Sequence, residues 1–145
     1  MATRIIVLLL LLTNMSFMQQ KENIKWEFSS RKSGDITELV LTATLTTGWH
    51  IYSQFTPDGG PIPTEFKFDS QKGVEMIGKV KEPSPEKHYD PNFQLDVMYF
   101  SNKVEFVQQV RTRGSVAAVK GTLSFMICND QTCLPPKDVK FEIKL

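Results

Sequence analysis

Apolar and polar side chains alternate along most of this 145-residue chain, and a period of two indicates β-strands rather than helices. In residues 37–47, TELVLTATLTT, one face of the predicted strand is formed by Leu39, Leu41, Ala43 and Leu45. Further strand-like runs, separated by turn-forming residues, occupy residues 24–28, 64–68, 74–80, 97–100, 103–112, 116–128 and 138–145. This pattern predicts an all-β fold, an immunoglobulin-like antiparallel β-sandwich.

One long stretch departs from this pattern. Residues 82–96, EPSPEKHYDPNFQLD, contain three prolines, several charges and aromatic side chains. The stretch is too long for a hairpin turn, and loops of this length in a compact domain are usually functional or disordered. Because the aromatic residues argue against disorder, we expect a functional loop that packs on the domain.

The N-terminus has the three-part pattern of a secretory signal peptide. A basic start ending at Arg4 precedes eight consecutive apolar residues, 5–12, and a small and polar segment follows at 13–20. Eight apolar residues are too few to span a bilayer. We therefore predict a cleaved signal peptide at residues 1–20, a single mature domain at residues 21–145 and no stable membrane insertion.

The charge of the chain gives no support for a nucleic-acid partner. The sequence has 17 basic and 16 acidic residues, and removing the signal peptide would remove only one of them, Arg4. A nearly neutral chain without a basic run lacks the electrostatic footprint of a nucleic-acid-binding protein.

The two cysteines, Cys128 and Cys133, lie in the segment FMICNDQTCLPP with four residues between them. If the flanking strands pair across residues 129–132, the cysteines face each other at close to disulfide distance. A hairpin staple is one interpretation, but closing so short a loop stabilises a fold by only roughly 2 kcal/mol. A redox-active dithiol is the other interpretation, and spacing and compartment alone do not decide between them.

A metal site is a third interpretation of the cysteines. His50 and His88 could supply two further ligands, but their spacing fits no recognised zinc-binding motif. We therefore expect neither a metal nor another cofactor.

Three motifs together resemble one protein family: GWHIYSQ at residues 48–54, HYDPNF at 88–93 and CNDQTCLPP at 128–136. They are similar to the N-terminal periplasmic domain of the thiol:disulfide interchange protein DsbD, over roughly residues 22–145. The resemblance implies an immunoglobulin-like domain located in the periplasm. It also implies a cysteine pair that passes electrons from a membrane partner to oxidised periplasmic proteins, with a link to cytochrome c biogenesis.

The resemblance implies roles for both cysteines and for one aromatic residue. Cys133 matches the cysteine that attacks the partner disulfide, and Cys128 matches the one that resolves the mixed disulfide. Phe93 matches a phenylalanine that caps the pair until a partner displaces it. Four residues separate the cysteines here, one fewer than in the best-known members, so we expect a different turn between them.

Three further residues are expected around the pair. Tyr52 matches a tyrosine beside the active site, and His50 stands where familiar members have another aromatic residue. Acidic residues that precede the capping phenylalanine in those members are replaced here by Pro91 and Asn92, with Asp90 one position earlier. The position of that carboxylate matters because a nearby negative charge raises the pKa of a thiol.

The expected function is thiol:disulfide exchange by a monomeric periplasmic domain, as a protein-disulfide reductase or interchange component. Its expected partners are thioredoxin-like periplasmic proteins and, since no membrane segments follow the domain before Leu145, a separate membrane electron donor. The alternative is a secreted β-sandwich binding module with a permanent structural disulfide, in which residues 82–96 form the binding surface.

Overall fold

The computed structural model describes residues 22–145, so the predicted signal peptide lies outside the described part of the chain. The described residues form strands and no helix, and therefore no helix that could cross a membrane. The strands are β1 (Ile24–Ser33), β2 (Ile36–Leu45), β3 (His50–Tyr52), β4 (Glu65–Phe68), β5 (Val74–Lys81), β6 (Glu86–Asp90), β7 (Leu95–Ser101), β8 (Lys103–Thr112), β9 (Ala118–Phe125), β10 (Ile127–Cys128) and β11 (Lys137–Lys144).

All strand pairings are antiparallel. They group the strands into three sheets, with the orders β1-β2-β8-β5, β10-β3-β7-β6 and β11-β9-β4. The first sheet has one irregularity in the pairing of β5 with β8, between Ile77 and Lys81. Gly78 lies there with φ of 67°, a conformation that glycine adopts without steric cost and that is typical of a β-bulge.

The hydrophobic core lies between the β1-β2-β8-β5 sheet and the β11-β9-β4 sheet. The centroid of the Trp26 ring lies 6.5 Å from that of Phe66 on β4 and 6.1 Å from that of Phe106 on β8. Phe28 contacts Phe141 on β11, with 5.5 Å between the ring centroids. Two sheets packed over one aromatic core form the immunoglobulin-like β-sandwich that the alternating pattern predicts.

Strand β2 carries the clearest alternation, and its predicted inward face is buried as expected. Leu39, Leu41 and Ala43 are fully buried. On the opposite face Val40 and Thr42 are also buried, at 2% and 8% exposed, whereas Thr44 is exposed. Because β2 lies between β1 and β8, neighbouring strands cover both of its edges. It is therefore a central strand of its sheet.

The prediction of a loop at residues 82–96 is wrong. Strand β6 pairs with β7 in this segment, and only a short tip at residues 91–94 connects them. Gln94 has φ of 58°, and its N–H donates to the Asp90 carbonyl oxygen at 2.8 Å, which closes the tip. The strand escapes prediction because β6 lies at a sheet edge, where four of its five side chains are exposed and no alternation develops.

The single strand predicted at residues 116–128 is divided between two sheets. Strand β9 ends at Phe125 in one sheet, and β10 begins at Ile127 in another. Both residues are buried, so the apolar pattern continues across the break. The switch at Met126 carries Cys128 out of the β11-β9-β4 sheet and places it beside β3.

Truncation of Phe106 tests the position of the core. Phe106 is fully buried, whereas Phe55 is 59% exposed. Phe106→Ala should lower the free energy of unfolding by about 3–5 kcal/mol because it leaves a cavity. Phe55→Ala, the matched control, should change it by less than about 0.5 kcal/mol. Denaturant unfolding of the mature domain measures both values, and equal losses would contradict this assignment of the core.

Candidate functional site

Cys128, the last residue of β10, forms a disulfide with Cys133. The Cα atoms of Cys128 and Cys133 are 4.0 Å apart, and the residues oppose each other in an antiparallel bridge. Backbone hydrogen bonds of 2.9 Å flank the pair on both sides, from Leu134 N–H to Ile127 and from Asn129 N–H to Thr132. The cysteines are therefore the non-hydrogen-bonded pair of a short hairpin, and the predicted facing arrangement is confirmed.

Asn129 fixes the turn between the cysteines. Its side-chain oxygen accepts hydrogen bonds from the backbone N–H groups of Gln131 at 2.9 Å and Thr132 at 2.8 Å. Such a turn is typical of asparagine, whose short side chain bonds to the backbone two and three residues on. Beyond the turn, Pro135 and Pro136 have no N–H to donate, and residues 134–136 form no strand. The disulfide therefore lies at the open edge of its sheet.

The two cysteines differ in exposure. Cys128 is fully buried and packs with Tyr52 and Val97 in a small apolar cluster. Cys133 is only partly buried, and it packs against this cluster together with Phe93. The Phe93 ring stands edge-on to the Tyr52 ring, with 6.3 Å between the centroids. The tip of the β6–β7 hairpin thus brings Phe93 to the apolar cluster that contains Cys128.

A polar network joins β3 to the tip of the β6–β7 hairpin. The Tyr52 hydroxyl donates to Asp90 Oδ2 at 2.6 Å, and His50 Nε2 lies 3.1 Å from the same hydroxyl. Because Tyr52 gives its one proton to Asp90, the Nε2–H of His50 donates to the Tyr52 oxygen. His50 Nε2 is also 3.8 Å from Asp90 Oδ2. The structure therefore brings together His50, Tyr52 and Asp90, the three residues that sequence analysis places around the cysteines.

Asp90 is a buried carboxylate, only 3% exposed. It accepts hydrogen bonds from Tyr52 and, at Oδ1, from the Asn92 backbone N–H at 2.8 Å and the Asn92 side-chain amide at 3.0 Å. Burial opposes its ionisation, but these hydrogen bonds outweigh burial and hold the pKa of Asp90 below its usual value. Asp90 is therefore ionised at neutral pH.

The other two members of the network are uncharged at neutral pH. Burial lowers the pKa of His50, although the charges of Asp90 and Asp130 oppose this shift. Burial raises the pKa of Tyr52, and its hydrogen bond to Asp90 raises it further. The network thus contains one carboxylate, one neutral imidazole and one phenol.

Asn92 and Asn129 escape prediction as site residues, although both lie in motifs that the sequence singles out. The Asn92 side-chain amide donates to the Asn129 carbonyl oxygen at 3.3 Å and so connects the hairpin tip directly to the cysteine turn. Their positions in turns could have indicated a local role, because the short side chain of asparagine readily bonds to nearby backbone groups. The bond from Asn92 to Asn129 depends on tertiary structure and could not be predicted from the local sequence.

A cleft of about 60 Å³ lies between the hairpin tip and the cysteine turn, and His50, His88 and Asp130 contribute to its lining. It has room for a few water molecules. Among residues 22–145, no group of three or more His, Cys, Asp and Glu side chains is placed to hold a metal ion. The chemistry available here is that of the disulfide and of the ionisable groups beside it.

The family model for the N-terminal domain of the thiol:disulfide interchange protein DsbD matches residues 14–145. Curated protein sequences give no match. The solved N-terminal periplasmic domain of ScsB from Proteus mirabilis is similar, with a TM-score of 0.61 and 20% identity. The superposition covers 83% of this chain and 45% of that chain, so this protein spans less than half of the ScsB structure.

Two structures from Neisseria meningitidis are also similar. The reduced DsbD N-terminal domain gives a TM-score of 0.53 at 16% identity, covering 79% of this chain and 81% of that one. A chain from the complex between the DsbD and PilB N-terminal domains gives a TM-score of 0.58 at 13% identity, and the superposition covers 88% of this chain and 87% of that chain. These likenesses show a shared fold. Since the family model covers the whole described domain, this protein belongs to the DsbD N-terminal domain family.

Proposed function

We propose that this protein is a periplasmic thiol:disulfide exchange domain, which passes electrons through Cys128 and Cys133 to oxidised envelope proteins. The observation that carries this proposal is the placement of the disulfide at an open sheet edge, with one cysteine buried and the other partly exposed, beside the apolar cluster against which Phe93 also packs. A permanent staple gains nothing from an aromatic cover and an accessible sulfur. Membership of the DsbD N-terminal family supports the same chemistry.

The exposure of the cysteines supports a division of roles. In the reduced protein, the partly exposed Cys133 attacks a partner disulfide as a thiolate. A bond forms between Cys133 and one partner sulfur, while the other partner sulfur leaves with the electron pair. Cys128, buried behind it, then attacks Cys133, which releases the second partner sulfur and closes the internal disulfide. The partner gains two electrons, and this protein loses them.

The tip of the β6–β7 hairpin serves as a gate in this proposal. Phe93 packs against the apolar cluster that contains Cys128 and is proposed to cap the disulfide, and Asn92 bonds to the carbonyl oxygen of Asn129. Asp90, at the base of the tip, is anchored to Tyr52 on β3. Opening therefore requires the loss of one apolar contact and one exposed hydrogen bond, while the paired strands stay in place.

A thioredoxin-like periplasmic domain is the proposed acceptor, and a membrane protein is the proposed electron donor. The Neisseria meningitidis DsbD N-terminal domain forms a complex with the PilB N-terminal domain. Here Leu134, next to Cys133, is 39% exposed, and with Pro135 it lines a groove of about 490 Å³. An apolar rim beside an accessible sulfur suits a transient contact of modest area made by a monomer.

Cys128→Ser should accumulate a mixed disulfide between Cys133 and an envelope protein, because the resolving sulfur is missing. Non-reducing electrophoresis of acid-quenched cells would show the adduct as a band shift that a reductant reverses, and mass spectrometry would identify the attached protein. Cys133→Ser is the matched control and should trap far less, since its remaining cysteine is buried. Absence of an adduct from both variants would contradict the exchange function.

Phe93→Ala should make the reduced protein react faster with iodoacetamide. Loss of an aromatic contact of roughly 0.5–1.5 kcal/mol predicts an acceleration of about two- to tenfold. Tyr89→Ala is a matched control on the same hairpin, because Tyr89 is 53% exposed. If Phe93→Ala reacts no faster than the parent protein and Tyr89→Ala, Phe93 is not a cap.

Asn92→Ala should also open the gate, with Phe93 left in place. The variant loses the side-chain hydrogen bonds of Asn92 to the Asn129 carbonyl oxygen and to Asp90 Oδ1, which predicts an acceleration of iodoacetamide alkylation by roughly two- to tenfold. The alkylation pH profile should give the same thiol pKa as in the parent protein, because the Tyr52 hydroxyl and the backbone N–H of residue 92 still bond to Asp90 and keep it ionised. Gln131→Ala, an exposed change in the cysteine turn, is the control. A shifted thiol pKa with no acceleration would rule out the gating contact.

A further inference from the structure

Strand register places His50 directly beside the buried cysteine. Cys128 opposes Cys133 on one side and His50 on the other. Directly opposed residues on antiparallel strands point to the same face, with Cβ atoms about 4.5–5.5 Å apart. The three side chains therefore form a row on one face of the sheet, with Cys128 in the middle.

The burial of Cys128 creates a chemical requirement for the resolving step. Under the proposed function, Cys128 must lose its thiol proton before its sulfur can bond to Cys133. Burial in apolar surroundings disfavours the thiolate, and Cys128 is fully buried in the cluster with Tyr52 and Val97. Bulk water has no access to this residue, so a neighbouring side chain is the natural proton acceptor.

His50 has the environment that such an acceptor needs. Its side chain is 13% exposed, and its Nε2–H is committed to the Tyr52 hydroxyl, which leaves Nδ1 with the free lone pair. Burial keeps the imidazole neutral at neutral pH by lowering its pKa, so it can take up a proton. The protonated ring would lie 3.8 Å from the ionised Asp90 carboxylate, which would stabilise the new charge.

We propose that His50 is the general base of the resolving step, an inference that rests on the proposed exchange function. His50 accepts the thiol proton of Cys128 as the Cys128 sulfur bonds to the Cys133 sulfur. The bond between Cys133 and the partner sulfur breaks, and the partner sulfur leaves with the electron pair. The proton then passes from His50 to the departing thiolate or to solvent.

The titratable groups that face His50 come from its own strand, from β6, from β7 and from the cysteine turn: Tyr52, His88, Asp90, Tyr99 and Asp130. Burial has the largest effect on the His50 pKa, and it acts with His88 against the two carboxylates. The resolving step should therefore slow as the pH falls through a value below about 6.5, the ordinary histidine pKa, because an imidazolium cannot accept a proton.

The aromatic disulfide 5,5′-dithiobis(2-nitrobenzoate) separates the two steps in the reduced protein. Attack by Cys133 releases one thionitrobenzoate, and attack by Cys128 on the mixed disulfide releases a second. His50→Gln should leave the first release within about twofold and slow the second by at least about tenfold at pH 7, since general bases typically contribute about 10²–10⁴-fold. Lys67→Gln, the control, is an exposed change on β4, in a different sheet from the site, and should change neither rate.

A pH series on the parent protein gives a readout that does not depend on the folding of a variant. In the parent protein, the rate of the second release should be constant above the His50 pKa and decline below it. In His50→Gln, this rate should instead rise with pH until the thiol ionises, near about 8.5 or higher. Equal second-release rates in the two proteins, or a parent profile that follows thiol ionisation, would overturn the role of His50. A parent protein that gives no second release would instead overturn the exchange function.

Discussion

The buried carboxylate of Asp90 fixes the geometry of the site. A charge with 3% exposure would be very costly without hydrogen-bond donors, and Tyr52 and Asn92 supply them. Tyr52 belongs to β3, the strand that also pairs with the cysteine-bearing β10. The hydrogen bond from Tyr52 to Asp90 therefore holds the tip of the β6–β7 hairpin against β3, the strand next to the disulfide. One desolvated charge thus helps to set the relative positions of Phe93, His50 and the cysteine pair.

Much of the fold follows from the alternating pattern, and the strands that this pattern predicts wrongly have physical explanations. Strand β8 matches the predicted run at 103–112 because its buried side chains alternate regularly. The edge strand β6 is missed because exposed positions impose no apolar period. The break at Met126 is missed because the residues on both sides are buried, and periodicity cannot distinguish one sheet from two.

The site could be predicted only in part. The disulfide follows from two cysteines across a short polar turn, a local feature of the sequence. The meeting of His50 and Asp90 depends on the pairing of β3 with β7 and of β7 with β6, which no local pattern specifies. The bond from Asn92 to Asn129 depends further on the backbone of two turns that meet only in the folded chain. The motif resemblance predicts which residues lie near the cysteines, but only the strand register shows that His50 is directly opposite Cys128.

The disulfide is proposed to open and close during normal function, and its reduction potential is the most direct test. Equilibration of the mature domain with defined thiol–disulfide buffers, followed by quantification of reduced Cys128 and Cys133, gives this value. We expect a potential above about −300 mV, in the range of exchange proteins such as thioredoxin at about −270 mV. A potential below about −300 mV would identify a permanent structural bond and contradict the proposed function.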